Sequence, residues 1–226
     1  MFKNFYSALA AIFFISSSCS QNRQETGYLI LESEISAGEL TQVLMPKKVL
    51  IINHDYNVLE FHEKFKMKEG QFAGADTLSV FFINTKKNTY SAYKTINKNE
   101  KPYKIDQIDN KKEGITFYSK KVDLFSNVSN ILIRDTIVNN VKYKLATGSK
   151  DSENGKLLYE AYILKVPEFF PVQISNILSD MTDGGFVERI VIKDLNNKKD
   201  IIFKSQFEHG EIPVKFNDAM RAWGKN

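Results

Sequence analysis

From Tyr28 to Glu208, apolar and aromatic runs of four to ten residues alternate with short clusters of Asn, Asp, Lys and Gly. This rhythm is the feature that most limits what the chain can fold into. Runs of that length with period-two patterning form strands, and the punctuating residues tolerate the tight or left-handed backbone that hairpin turns need. Strands are predicted at Tyr28–Glu34, Leu40–Met45, Val49–Asn53, Val58–Lys66, Thr77–Ile83, Thr89–Ile96, Ile115–Ser119, Ile131–Asp135, Val141–Thr147, Leu157–Val166, Phe186–Asp194 and Ile201–Glu208. Turns are expected at His54–Asn57, Asn139–Asn140, Asp151–Gly155 and Asn196–Lys199. One segment breaks the rhythm: Ile174, Ile177, Leu178 and Met181 recur at helical spacing, with Pro171 before them and Gly184-Gly185 after, which predicts a short helix. Val122–Asn130 is a second helical turn or an irregular crossing. The fold class is mainly β, one large antiparallel domain with one or two short helices.

The start of the chain has a different character. Lys3 is followed by a mostly apolar stretch from Phe5 to Ile15, then Ser16-Ser17-Ser18-Cys19 and the polar run Gln21 to Glu25. A charged start, a short apolar region and a small-residue cleavage zone describe a secretory signal peptide, and the stretch is about half the roughly 20 residues a membrane span needs. Cys19 is the only cysteine, so no intramolecular disulfide can form. The segment resembles a bacterial lipoprotein signal, in which the thiol after the cut is acylated. That resemblance implies residues 1–18 as signal peptide, lipid attachment at Cys19, residues 19–26 as a lipidated tether, and residues 27–226 as a single β-rich domain.

The side chains exclude several functions. Lys and Arg total 31 against 27 Asp and Glu, but the cations are overwhelmingly Lys. Nucleic-acid readers favour the planar Arg fork, so no nucleic-acid partner is expected. His54, His62 and His209 are scattered and, with no second cysteine, form no metal-ligand spacing. The Asp151 loop lacks the acidic spacing of a calcium loop, and no nucleophile elbow or phosphate-cradling Gly loop occurs. No catalytic residue, cofactor or metal is assigned, and the chain is read as non-enzymatic. Asp76-Thr77-Leu78 and Asp135-Thr136-Ile137 resemble an O-glycosylation acceptor of some envelope proteins, a pattern compatible with export.

Two patterns ask for a partner. Alternation through Leu59–Met67 places Glu63 on one face with Phe61 and Phe65, where a carboxylate must reach water, pair with a cation or line a wet cavity. Thr77–Ile83 and Leu157–Val166 are apolar on both faces, so their second face needs cover by a helix, a partner or a ligand.

The order Asp135-Thr136-Ile137-Val138-Asn139-Asn140-Val141-Lys142-Tyr143, then Leu157-Leu158-Tyr159-Glu160-Ala161-Tyr162, a Pro-flanked apolar segment and two closing strands resembles GLPGLI-type envelope proteins, which are similar in outline to lipoprotein-carrier domains. The resemblance implies a highly curved antiparallel sheet, an open half-barrel, closing over an apolar cavity beneath short helices. In such a fold Phe61, Glu63, Phe65 and Met67 would line the cavity, and Ile174, Ile177, Leu178 and Met181 would form its lid. The expected protein is lipid-anchored in the bacterial cell envelope, at the outer membrane with the face left open, and binds a lipid, another apolar ligand or an envelope partner. A structural or adhesive module without a cavity, and a hydrolase with an unrecognised site, are the alternatives.

Overall fold

The computed structural model describes residues 26–225, apart from 54–56, 69–70, 117–118, 120–121, 154 and 167–169. Eleven strands form one antiparallel sheet: β1 (Gly27–Ala37), β2 (Leu40–Ile52), β3 (Asn57–Lys68), β4 (Gln71–Asn84), β5 (Thr89–Tyr93), β6 (Lys104–Gln107), β7 (Ser129–Val138), β8 (Val141–Ser152), β9 (Gly155–Leu164), β10 (Phe186–Asp194) and β11 (Lys199–His209). Their order is β6-β5-β4-β3-β2-β1-β11-β10-β9-β8-β7. The first and last strands of the domain, β1 and β11, therefore meet in the middle, paired from Gly27 with His209 to Ser36 with Asp200. The sheet stays open, with β6 and β7 as its edges.

Turn chemistry explains the hairpins. Asn139 and Asn140, at φ 49° and 64°, connect Val138 to its partner Val141, the doubly left-handed geometry that Asn accepts and that matches strand twist. At the β10–β11 turn, the Asp194 carboxylate accepts hydrogen bonds from the amides of Asn196 and Asn197.

Alternation splits the sheet into two apolar faces. The inner face carries Leu29, Leu31, Leu50, Ile52, Val58, Phe81, Ile83, Tyr159, Ala161, Ile163, Ile190 and Ile192, in one cluster with Ile108, Ile115, Phe125, Phe170, Val172, Ile174 and Leu178 from the segments that cross it. A flat sheet of this many strands would be about 48 Å wide at the usual strand spacing, too wide for so short a cover, so one cluster running from Ala92 in β5 to Ala146 in β8 requires the sheet to curl. The outer face bears a second cluster, Ile51, Leu59, Val80, Phe82 and Tyr93, beneath helix α2 (Val214–Trp223). The prediction that Thr77–Ile83 needs cover on both faces is met by α2 outside and the crossing segments inside.

Several expectations change. Leu40–Met45 and Val49–Asn53 belong to one strand, β2, with a register shift against β1 between Leu31 and Ser33 that absorbs Pro46, a residue with no amide proton to donate. The strand predicted at Ile115–Ser119 does not form among its described residues; the Ile115 amide is drawn to the Glu60 carboxylate at 2.5 Å instead of a ladder. The helix predicted from Pro171 is the shorter α1 (Asn176–Met181), started by Ser175, whose hydroxyl accepts from the Leu178 amide. Val122–Asn130 is a set of turns leading into β7. The strand rhythm predicts neither β6 nor α2, and none of the helices among the described residues is long and apolar enough to cross a membrane.

Candidate functional site

The residues expected to share a cavity are divided between the two faces. Ile174 and Leu178 are buried in the inner cluster, with Ile177 packed against it and Met181 exposed. Phe61 lies on the outer face, its ring 5.7 Å from that of Phe216 in α2. Glu63 does meet a cation: its Oε2 is 3.8 Å from Lys48 Nζ, and its side chain is one-third exposed. The side chains of Phe65 and Met67, and Cys19 and His54, lie outside the described residues. The correction has a physical reason. Alternation states which residues share a face, but a sheet covered on both sides has two apolar faces, and the lid and Phe61 chose different ones. Of the other histidines, half-buried His62 packs 5.8 Å from the Phe81 ring and His209 5.0 Å from that of Phe207. Among the described residues no three His, Asp, Glu or Cys side chains converge as a metal site.

The inner cover is pinned by charge. Asp123, 2% exposed, accepts from the Phe125 amide at 2.8 Å, the Ser175 hydroxyl at 2.6 Å and the Ile177 amide at 3.1 Å. It thereby joins the crossing that precedes β7 to the one that contains α1.

An open cleft of about 400 Å³ lies on the outer face instead. Its floor is a row across three strands, Glu32 of β1 facing Lys204 of β11, which faces Arg189 of β10; beyond the cleft the row continues to Tyr162 of β9. Alternate positions of antiparallel strands place such cross-strand partners side by side. A register shift between Val187 and Arg189 leaves Glu188 as the extra residue, and bulges of this kind re-aim a side chain. Glu188 lines the cleft and accepts a 2.7 Å hydrogen bond from the Tyr143 hydroxyl. The Arg189 guanidinium stacks 4.2 Å from the Tyr162 ring centroid, and Lys204 pairs with Glu34 at 2.8 Å.

The opposite wall is the tip of the β7–β8 hairpin, Val138, Asn139 and Val141, which meets Ile30 of β1 across the opening. Since β8 and β1 are separated by three strands, the hairpin overhangs the outer face. Glu32 and Glu188 balance Arg189 and Lys204, so the cleft combines an apolar wall with a neutral set of fixed charges. Burial, the hydrogen bond to Glu188 and that carboxylate's charge push the Tyr143 phenol from its ordinary value near 10 up to about 12, so it is a neutral donor throughout the physiological range. The signal available beforehand was the alternation of Tyr143 and Glu188 in strands already predicted; their meeting depends on the bulge.

No family model matches the chain, and no curated protein matches it either. Among solved structures it is similar to a LolA superfamily protein from Nitrosomonas europaea, at 10% identity and TM-score 0.31, covering 87% of this chain and 92% of that one. It is also similar to a domain from Vibrio parahaemolyticus described as outer membrane lipoprotein-sorting, at 10% identity and TM-score 0.31, covering 90% and 95%. A third is PNGF-II, at 15% identity and TM-score 0.35, covering 85% of this chain and 30% of that one.

Proposed function

We propose that the chain is exported, acylated at Cys19 and held at the bacterial envelope, where its β domain binds a small amphiphile without catalysis. The observation that carries the binding reading is the outer-face cleft: Ile30, Val138 and Val141 offer an apolar surface beside Glu32, Glu188, Arg189 and Lys204. Apolar lining with a few convergent polar groups is the usual composition of a ligand site. Equal numbers of fixed positive and negative charges suit a zwitterionic or neutral head group, because a net-charged head would leave one sign uncompensated.

The test uses the full-length chain purified from detergent-solubilised membranes. Solvent extraction and mass spectrometry are expected to recover a co-purifying amphiphile, and dihexanoyl phosphatidylcholine below its micellar concentration is expected to bind saturably. Val141→Asp sets a charge into the apolar wall at the exposed first position of β8 and should weaken that binding at least tenfold while preserving the fold. Absence of both a bound amphiphile and saturable binding overturns the reading. For the anchor, Cys19→Ala should abolish acyl labelling and detergent-phase partitioning; unchanged partitioning overturns lipidation.

A further inference from the structure

The sheet contains a fork. β2 and β3 have 13 and 12 residues, yet they pair only at Leu50 with Glu60, Ile51 with Leu59 and Ile52 with Val58. Beyond these rungs no ladder forms between them among the described residues, and the strands continue as separate arms. Neither arm is a frayed end. β2 remains paired to β1 as far as Leu40 with Ala37, and β3 to β4 as far as Lys68 with Gln71. Each arm therefore presents one open backbone edge toward the other. On β2 the side chains of Leu40, Val43, Leu44 and Val49 are exposed by 79%, 68%, 50% and 41%.

Natural sheets normally blunt, cover or pair an edge of this length, since unpaired strand amides and carbonyls template a further strand. Here two such edges face each other across one opening, the β2 edge interrupted at Pro46, and the groups they leave unpaired are backbone amides and carbonyls. A lipid chain could cover the apolar side chains but could not satisfy the amides and carbonyls, whereas an added strand does both. Charge narrows the occupant further. Lys48 is engaged by Glu63 and Lys66 by Asp76 at 2.8 Å, while Lys47 and Lys64 stand exposed along the mouth.

We propose that the fork between β2 and β3 is a docking site for an extended segment of a partner polypeptide, apolar at alternate positions and carrying an acidic residue, which adds to the free edge of β2. Ladder hydrogen bonds supply its affinity, and the exposed apolar side chains with Lys47 and Lys64 supply its selectivity. The site is separate from the outer-face cleft and does not depend on the amphiphile reading.

The experiment is amide hydrogen exchange on the full-length chain, with a short synthetic peptide alternating valine with threonine and glutamate as probe. In the free chain the amides of Thr41 to Leu44 and Phe61 to Lys64 that face the opening should exchange rapidly, and saturating peptide should slow those on β2 at least tenfold. The same peptide N-methylated on its valines keeps its side chains but cannot form the ladder, and should give no protection; a version with lysine in place of glutamate should bind at least fivefold more weakly. Val141→Asp should leave peptide binding unchanged. Slow exchange of these amides in the free monomer, equal effects of the methylated and unmethylated peptides, or no protection at millimolar peptide each overturns the proposal. Concentration-dependent dimers protecting the same amides without peptide would assign the edge to a second copy and overturn it equally.

Discussion

Lys111 Nζ lies 2.9 Å from Glu60 Oε2, with both side chains 1% exposed. The same ammonium donates to the Glu113 and Ile115 carbonyls at 2.5 and 2.7 Å and sits 4.4 Å from the Phe81 ring centroid. Gly114, at φ +68°, passes so close to Glu60 Oε1 that a Cβ there would collide with it. The pair thus clamps the loop after β6 onto the inner face of β3. Burial draws the Lys111 pKa below the ordinary lysine value, and the Glu60 charge opposes that pull.

Breaking this pair from one side leaves an uncompensated buried charge, which costs about 3–5 kcal/mol. Lys111→Met should therefore lower the urea unfolding free energy by about that amount, and Glu60→Gln combined with Lys111→Met should recover about 1 kcal/mol or more of the loss. A cost for Lys111→Met below about 1 kcal/mol would show that the clamp contributes little.

Asp123 holds three donors from two crossings. Asp123→Ala orphans two amides and the Ser175 hydroxyl, and should cost about 2–3 kcal/mol, because charge-assisted hydrogen bonds in buried sites are the strong ones. Asp123→Asn keeps one acceptor and should lose less. Thermal and urea unfolding of the two variants measure the difference, and equal losses would count against Asp123 as the acceptor that joins the two crossings.

Trp223 stacks on Tyr93 with centroids 3.7 Å apart and planes 8° from parallel, and it meets the edge of Phe82 at 6.1 Å. Trp223→Ala should cost about 3–5 kcal/mol, as large-to-small changes at well-packed aromatic sites do. Tyr93 and Phe82 would become partly exposed, so the variant should bind a fluorescent apolar dye that the parent excludes. The single tryptophan also makes the parent's intrinsic fluorescence a direct report of α2 docking.

Tyr143 titrates at about 12 in the fold against 10.0 ordinarily. Its folded value is the raised one, so the folded chain binds the phenolic proton more tightly than the unfolded chain does. The associated stability is fully present below pH 10 and is lost as pH rises through about 12. Glu188→Gln removes the adjacent negative charge and should move the Tyr143 midpoint back toward 10 in a tyrosinate absorbance titration compared with Tyr143→Phe. An unchanged midpoint would mean that Glu188 does not govern this phenol.

Local pattern and final structure agree where the physics is local. The predicted strand Phe186–Asp194 matches β10 to the residue because its β-branched, apolar-rich run is bounded by Gly184-Gly185 and by Asn196-Asn197, and Asn139-Asn140 announces its hairpin because few other pairs accept two left-handed positions. In helix α2, Phe216, Ala219, Met220 and Trp223 stand at helical spacing, but charged residues between them dilute the signal, and only docking on β3, β4 and β5 makes the stripe informative.

By itself, the sequence determined the β-rich class and most strand positions, because each follows from neighbours a few residues apart. The tertiary structure alone decided which face is inner, that Glu60 meets Lys111 across 51 positions of sequence, that Glu188 turns into a cleft beneath a distant hairpin, and that β2 and β3 part after three rungs. Those outcomes depend on curl, register and bulges summed over many strands. A shift of one residue in register reverses every side chain in a strand, so no local pattern could have specified them.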